Sequence, residues 1–148
     1  MPEPHERDLA ATLDLAAEAL VGLFGVDSPP DFPRVSPPQM QVLLTVERRG
    51  PTRLTQLAAE LDAIPSSASR LCDRLEAAGL LTRTAGEADR REVLLLLTPT
   101  GHALVDEVRG ARRARIASVL AVMTADGCAA LLRGLEEFRD ARLGHELA

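Results

Sequence analysis

Apolar side chains recur at helical spacing in the first part of the chain. Between residues 6 and 24 they fall on one side of a helix, with charged residues mostly between them: Leu9, Leu13, Ala16, Leu20, Leu23 and Phe24. Residues 27–38 follow and contain five prolines in twelve positions. The pattern therefore predicts an amphipathic helix and then a loop.

Three shorter helices are predicted next. Ser36 and Gln39 have the spacing of a capping box, with Pro37 at the first helical position, and Gly50 ends this second helix. Apolar residues at positions i, i+3, i+4 and i+7 predict a third helix over 54–62. A fourth helix is predicted from Pro65 to about residue 78, where a glycine follows.

The periodicity then changes. A short apolar-to-polar segment, 80–83, and an apolar run, 93–97, are joined by a charged, glycine-containing segment of nine residues. Such a pair is typical of a β-hairpin with a long tip. By periodicity alone the second run could also be buried helix, but its shortness and the Thr98-Pro99 stop favour a strand.

Thr98 is predicted to cap a long helix that runs to about Met123, and Thr124 is predicted to cap the last helix. The predicted fold is mainly α with a small β-hairpin wing, that is, a winged helix-turn-helix core with flanking helices. The segments are 1–33 (N-terminal helix and linker), 34–98 (winged helix-turn-helix) and 99–148 (C-terminal helices), within one compact domain.

The fourth helix has two distinct faces. Its predicted buried face carries Ala68, Leu71, Cys72, Leu75 and Ala78. The outward residues can donate hydrogen bonds to base edges or phosphates: Ser66, Ser67, Ser69, Arg70 and Arg74. From the residues alone, the serines could simply cap the helix, and the arginines could be solvated or paired with Asp73 and Glu76.

Charge alone would not suggest nucleic-acid binding, because the net charge is −5. Residues 48–92 hold eight arginines and seven acids, so that segment is +1 and the remainder is −6. All 17 basic residues are arginine, which suits bidentate contacts with phosphate and guanine but also follows from GC-rich coding.

The sequence offers little chemistry of other kinds. Cys72, Cys128 and three histidines lack metal-ligand spacing, and no nucleophile–base pair or phosphate loop is evident. We therefore predict no enzyme activity, metal or cofactor. No apolar run is long enough to cross a membrane and the N-terminus lacks a signal segment, so we expect a cytoplasmic protein without a membrane partner, nucleoid-associated when bound to DNA.

Four pieces between Arg53 and Gly101 resemble the MarR family of bacterial transcriptional regulators: LTQLAAEL, SRLCDRLEAAGLLTR, ADRR and LTPTG, in the family's order and spacing. The resemblance implies that the serines and Arg70 of the fourth helix face the major groove. It also implies that Asp89, Arg90 and Arg91 form the wing signature, in which Asp89 orients Arg91 through a bidentate pair and an arginine enters the minor groove. Arg53 stands where the family often has Thr and could contact the DNA backbone.

The resemblance further implies a homodimer in which the flanking helices form the dimerisation region. Its partner is double-stranded DNA, and it is expected to bind a pseudo-palindromic operator as a repressor. A small-molecule effector that releases DNA is typical of many members, and its identity here is unknown. Two alternatives stay open: the flanking helices could complete a monomeric bundle, or the acidic chain could be a winged-helix protein-interaction module with weak or no DNA binding.

Overall fold

The computed structural model describes residues 4–25 and 28–146. The outermost parts of the predicted segments 1–33 and 99–148, and Asp27 of the predicted loop, lie outside these ranges. The chain separates into two compact units, Met1–Ala111 and Arg112–Ala148. The division falls within a helix, and the sequence-based division at residues 34 and 99 stays a prediction.

Six α-helices and three strands make up the described ranges. The helices are α1 (Pro4–Val21), α2 (Pro37–Arg49), α3 (Leu54–Glu60), α4 (Pro65–Ala77), α5 (Pro99–Leu120) and α6 (Ala125–Glu146), and a 3₁₀ turn Gly22–Phe24 extends α1. The strands are β1 (Thr52–Arg53), β2 (Leu81–Ala85) and β3 (Val93–Leu97). The mainly helical winged fold predicted from the sequence is confirmed.

The predicted helix starts are made by side-chain caps. The Ser36 backbone N–H donates to Gln39 Oε1 (2.7 Å), and the Ser36 hydroxyl accepts from the Gln39 N–H (3.3 Å), which forms the capping box. Thr98 Oγ1 accepts from the Gly101 N–H, and Thr124 Oγ1 accepts from the Gly127 N–H, each at 3.0 Å. These caps fix where α2, α5 and α6 begin.

The sheet has the order β1-β3-β2, and both pairings are antiparallel. Residues 93–97 form a strand as predicted, and the β2–β3 register runs from Leu81 opposite Leu97 to Ala85 opposite Val93. Strand β1 was missed by the sequence analysis. It pairs Thr52 with Leu95 and so joins the start of α3 to the wing.

The core of the first unit lies between α2, α3, α4, the sheet and the first half of α5. Its largest fully buried side chains include Met40, Leu43, Leu57, Leu75 and Leu104. With almost no aromatic residues available, this core is built from Leu, Val and Met. It buries one side of α4 and leaves the other side outward.

Two helix ends differ from the prediction. Helix α3 ends at Glu60 rather than residue 62, and Asp62 adopts a left-handed conformation with φ 50°. Helix α5 ends at Leu120, a few residues before Met123, and turns connect it to α6. Both ends fall where apolar periodicity continues beyond the last helical hydrogen bonds, so spacing alone overestimates the length.

The second unit contains the end of α5 and all of α6. Within residues 112–145, where burial is described, no side chain is classed as buried. Several large apolar side chains of this unit are exposed: Val119, Leu120, Val122, Leu131, Leu132, Leu135, Phe138 and Leu143. In the described ranges no helix is both long and apolar enough to span a bilayer.

Candidate nucleic-acid interface

Helix α4 has the predicted faces. Ala68, Cys72 and Leu75 are each 0% exposed, and Leu71 and Ala78 are half-buried against the same core. On the opposite side four of the five predicted site residues are exposed, while the fifth, Ser69, is half-buried. The exposed residues are Ser66, Ser67, Arg70 and Arg74.

The start of α4 lacks a side-chain cap. Ile64 occupies the capping position and its side chain makes no cap hydrogen bond. Instead, the Ile64 carbonyl oxygen accepts from the N–H groups of Ser67 and Ala68, each at 3.1 Å, and Pro65 supplies the first helical residue. Capping was the alternative role that the sequence left open for the serines of α4. Because Ile64 occupies the capping position, these serines do not cap the helix.

The acids of α4 are engaged by an arginine of β2. The Arg83 guanidinium lies 2.7 Å from Asp73 and 3.4 Å from Glu76, and the hydrogen bond with Asp73 raises the pKa of Arg83. These two acids were the candidate partners of Arg70 and Arg74. Within the described ranges neither Arg70 nor Arg74 has an ion-pair partner.

The eight arginines of residues 48–92 fall into two groups. Four are paired with acids: Arg48 and Arg49 with Glu60, Arg53 with Glu92, and Arg83 with Asp73 and Glu76. The other four form no ion pair with any described residue: Arg70, Arg74, Arg90 and Arg91. The second group comprises all four arginines that the sequence analysis placed in the recognition helix and the wing.

The wing tip is closed by three hydrogen bonds. The Gly86 N–H donates to the Glu92 carbonyl (2.9 Å), and the Glu92 N–H donates to the Asp89 carbonyl (3.0 Å). Asp89 Oδ1 accepts from the backbone N–H of Arg91 at 2.9 Å. A Cβ at residue 86 would lie 2.8 Å from the Asp89 carbonyl oxygen, so this turn requires glycine.

The role expected of Asp89 therefore needs a correction. Its carboxylate binds the Arg91 backbone rather than the Arg91 guanidinium, since among the described residues neither Arg90 nor Arg91 has an ion-pair partner. An aspartate two residues before an N–H closes a local turn more readily than it reaches a long, flexible side chain. Both guanidinium groups stay exposed at the tip.

Three residues outside the predicted DNA contacts can now be placed. Burial raises the pKa of the Cys72 thiol to about 11, against the lowering effect of the Arg83 charge, and the side chain lies in the core. The Cys128 thiol is half-buried in the second unit and lies 3.6 Å from the Leu120 carbonyl oxygen. His102 is exposed on α5. No group of three or more potential metal ligands occurs in the part of the chain that the structure describes.

Sequence reasoning missed two residues of this surface, Arg83 and Glu92. Both pair with residues distant in sequence, Arg83 with the α4 acids and Glu92 with Arg53. The only local signal was that Asp73 and Glu76 lie three apart on α4, which left the identity of their basic partner open.

Comparison with known proteins gives consistent results. The MarR family profile matches residues 35–93. The HTH-type transcriptional repressor MdtR of Bacillus subtilis is 33% identical over 90 residues, which cover 61% of this chain and 58% of MdtR. The chain thus spans little more than half the length of this relative.

Similarity to solved structures extends over nearly the whole chain. The crystal structure of RV1404 from Mycobacterium tuberculosis is 30% identical, with a TM-score of 0.79, and the match covers 95% of this chain and 97% of RV1404. The structure of Streptococcus pneumoniae FabT in complex with DNA is 20% identical, with a TM-score of 0.72, and the match covers 97% of this chain and 99% of FabT. The second likeness establishes the shared fold.

Proposed function

Since this chain belongs to the MarR family of DNA-binding transcriptional regulators, we propose that it binds a specific pseudo-palindromic operator as a homodimer and represses transcription. The observation that carries the proposal is the division of the arginines. Both acids of α4, Asp73 and Glu76, pair with Arg83, and the arginines of α4 and of the wing have no ion-pair partner among the described residues. Unpaired guanidinium groups are available to phosphates and base edges.

Helix α4 would enter the major groove with its exposed face. Ser66, Ser67 and Arg70 lie toward its N-terminal half, where recognition helices meet base edges first. Ser69 is half-buried, so its hydroxyl has less access than those of its neighbours. Arg70 is the residue most able to make a bidentate contact with guanine, and Arg74 lies one turn further along for a phosphate.

The wing would contribute Arg90 and Arg91 to the adjacent minor groove. The narrow minor groove has a strongly negative potential that favours guanidinium groups, with little dependence on the base pair beyond A·T against G·C. In this proposal Asp89 acts through the shape of the tip, because its carboxylate holds the Arg91 backbone.

A homodimer is supported by the apolar side chains that each unit leaves exposed. Helix α1 has no buried side chain over residues 5–21, and its exposed residues include Leu9, Leu13 and Val21. Helix α6 exposes Leu132 and Phe138 in the other unit. Apolar surface of this extent is typical of an oligomer interface.

The repressor role in this proposal is inferred from similarity to the repressor MdtR, to which the matched segment is 33% identical. Release of DNA by a small-molecule effector is the remaining part of the proposal, and it rests on the MarR resemblance. It would couple a ligand site to the spacing of the two recognition helices.

The test begins with selection of bound duplexes from a random DNA library, followed by fluorescence anisotropy at about 50 and 200 mM salt. We expect a selected sequence to bind far more tightly than random DNA, with an affinity that falls as salt increases. Arg70→Ala should weaken operator binding by roughly 5- to 150-fold and relax the preference at one position. Arg49→Ala removes an equal charge from a paired site and serves as the control.

Double substitution of Arg90 and Arg91 by alanine should weaken binding to selected and random DNA by similar factors, because minor-groove contacts carry less sequence information. A protein that selects no sequence would contradict the proposal. Absence of binding even at low salt would favour the protein-interaction module, which the net charge of −5 had kept open.

A further inference from the structure

The ion pair between Arg53 and Glu92 lies at the base of the wing. Arg53 is the last residue of β1 and is paired with Leu94 in the sheet, so it lies beside the start of β3. Glu92 is the residue just before β3, and its carboxylate contacts the Arg53 guanidinium. The Arg53 side chain is 53% exposed and that of Glu92 is 29% exposed.

Glu92 is next to the unpaired wing arginines in sequence and forms its ion pair with Arg53. It directly follows Arg90 and Arg91 in the chain. The pairing of β1 with β3 thus gathers Arg53 and the wing tip at the same end of the sheet. Of the wing acids, only Glu92 forms an ion pair with a described residue, and it engages Arg53 rather than its neighbours in sequence.

The shape of the wing tip does not depend on the Glu92 carboxylate. The tip is closed by the Glu92 backbone carbonyl and N–H, together with the hydrogen bond from the Arg91 N–H to Asp89. None of these bonds uses the Glu92 side chain. The main interaction of the carboxylate is therefore with the Arg53 charge.

We propose that Glu92 is an intramolecular competitor for a DNA phosphate. In the free protein the Glu92 carboxylate pairs with the Arg53 guanidinium, and a DNA backbone phosphate replaces the carboxylate when DNA binds. This inference rests on the proposed DNA-binding function. Replacement is feasible because exposed ion pairs contribute little net stability, whereas an arginine–phosphate contact gains from release of counterions from DNA.

Glu92 then sets how tightly, and with what salt dependence, the protein holds DNA. Glu92→Gln keeps the size of the side chain and the backbone hydrogen bonds but leaves Arg53 unpaired. We expect operator binding to tighten by roughly threefold to fivefold. We also expect the slope of log K against log salt to steepen by up to about 1, because a displaced carboxylate no longer recruits a cation.

Glu87→Gln is the matched control. Glu87 is an exposed acid in the same loop and has no ion-pair partner among the described residues. Its removal changes the net charge by the same amount, and we expect less than a twofold gain in affinity, because it masks no arginine. Thermal melting of both variants should match the wild type, which confirms that the fold is intact.

A double-mutant cycle completes the experiment. In an Arg53→Ala background, Glu92→Gln should have no larger effect than Glu87→Gln, because the competition has been removed. Equal effects of the two glutamate substitutions in the wild-type background, or a Glu92→Gln effect that persists without Arg53, would overturn the inference alone. A wild-type protein that binds no duplex would overturn the proposed function and this inference together.

Discussion

Gly101 and Gly110 lie on the same helix, and their surroundings differ sharply. A Cβ at residue 101 would lie 2.1 Å from the backbone carbonyl oxygen of Leu80, so α5 can approach the chain before β2 this closely only with glycine. A Cβ at residue 110 meets nothing within 4 Å. The same substitution should therefore have opposite effects at the two positions.

We expect Gly101→Ala to lower the free energy of unfolding by about 3 kcal/mol, because backbone rather than a movable side chain blocks the new methyl group. Gly110→Ala should raise it by roughly 0.5–1 kcal/mol through helix propensity. Urea titration followed by circular dichroism measures both. Equal stability of the two variants would contradict the close approach of α5 to Leu80.

The Cys72 thiol should be unreactive in the folded protein. Burial raises its pKa to about 11, and the core excludes reagents. Because folding favours the protonated thiol, this contribution to stability is fully present below pH 9.0 and is lost as the pH rises toward about 11.

Mass spectrometry after treatment with iodoacetamide at pH 8 tests this in a Cys128→Ser variant, whose remaining thiol is Cys72. We expect no adduct on the folded protein and complete modification in urea. Rapid modification of the folded variant would show that α4 opens frequently.

At the residue scale, the buried faces of helices and their capping residues could be predicted from the sequence better than the partners of charged side chains. The buried residues of α4 and the Ser36 capping box follow from spacing within a few positions, which helical geometry fixes. Which arginine meets Asp73 could not be predicted, because Arg83 reaches it only after β2 packs against α4. The backbone target of Asp89 was missed for a related reason, since the turn forms only when the hairpin closes.

At the scale of elements, long periodic segments were predicted well and the shortest strand was not. Strand β1 has two residues, which is too short for an alternating pattern to be recognised. Its existence depends on β3, against which Thr52 and Arg53 pair. The consequence is functional, because this pairing brings Arg53 to the wing.

The Arg83 bridge between α4 and β2 is the element contact with most influence on the proposed interface. Removing it would leave Asp73 and Glu76 unpaired on the helix that carries Arg70 and Arg74. Unpaired acids there would neutralise those arginines or repel phosphates.

We expect Arg83→Ala to weaken operator binding by about tenfold or more, beyond the effect of one lost charge. Arg48→Ala is the control, because its partner Glu60 also contacts Arg49 and stays paired. Adding Asp73→Asn and Glu76→Gln to Arg83→Ala should restore most of the affinity. Failure of this triple variant to recover, with its melting temperature preserved, would show that Arg83 itself touches DNA.

At the scale of the whole molecule, one unit of the chain has a core of buried side chains, and the described residues of the other unit have none. Within residues 112–145 no side chain is buried, although α6 is 22 residues long. A helix of this length with exposed leucines gains most of its stability from packing rather than from propensity. A second copy of the chain is the partner that the proposed function requires.

Leu132→Glu tests the dimer, because Leu132 is 59% exposed in the single chain. In a monomer, a charged residue at so exposed a position should cost almost nothing, whereas at an apolar interface it should separate the protomers. We expect sedimentation equilibrium at about micromolar concentration to give a dimer for the wild type and a monomer for Leu132→Glu. Arg133→Glu places the same carboxylate on the same helix at a position that is already charged, so this variant should stay dimeric.

The monomeric Leu132→Glu variant should then bind a full operator hardly better than a half-site, because it no longer tethers two copies of α4 to successive turns of the duplex. A wild-type monomer, or a dimer indifferent to Leu132→Glu, would place the interface elsewhere or remove it.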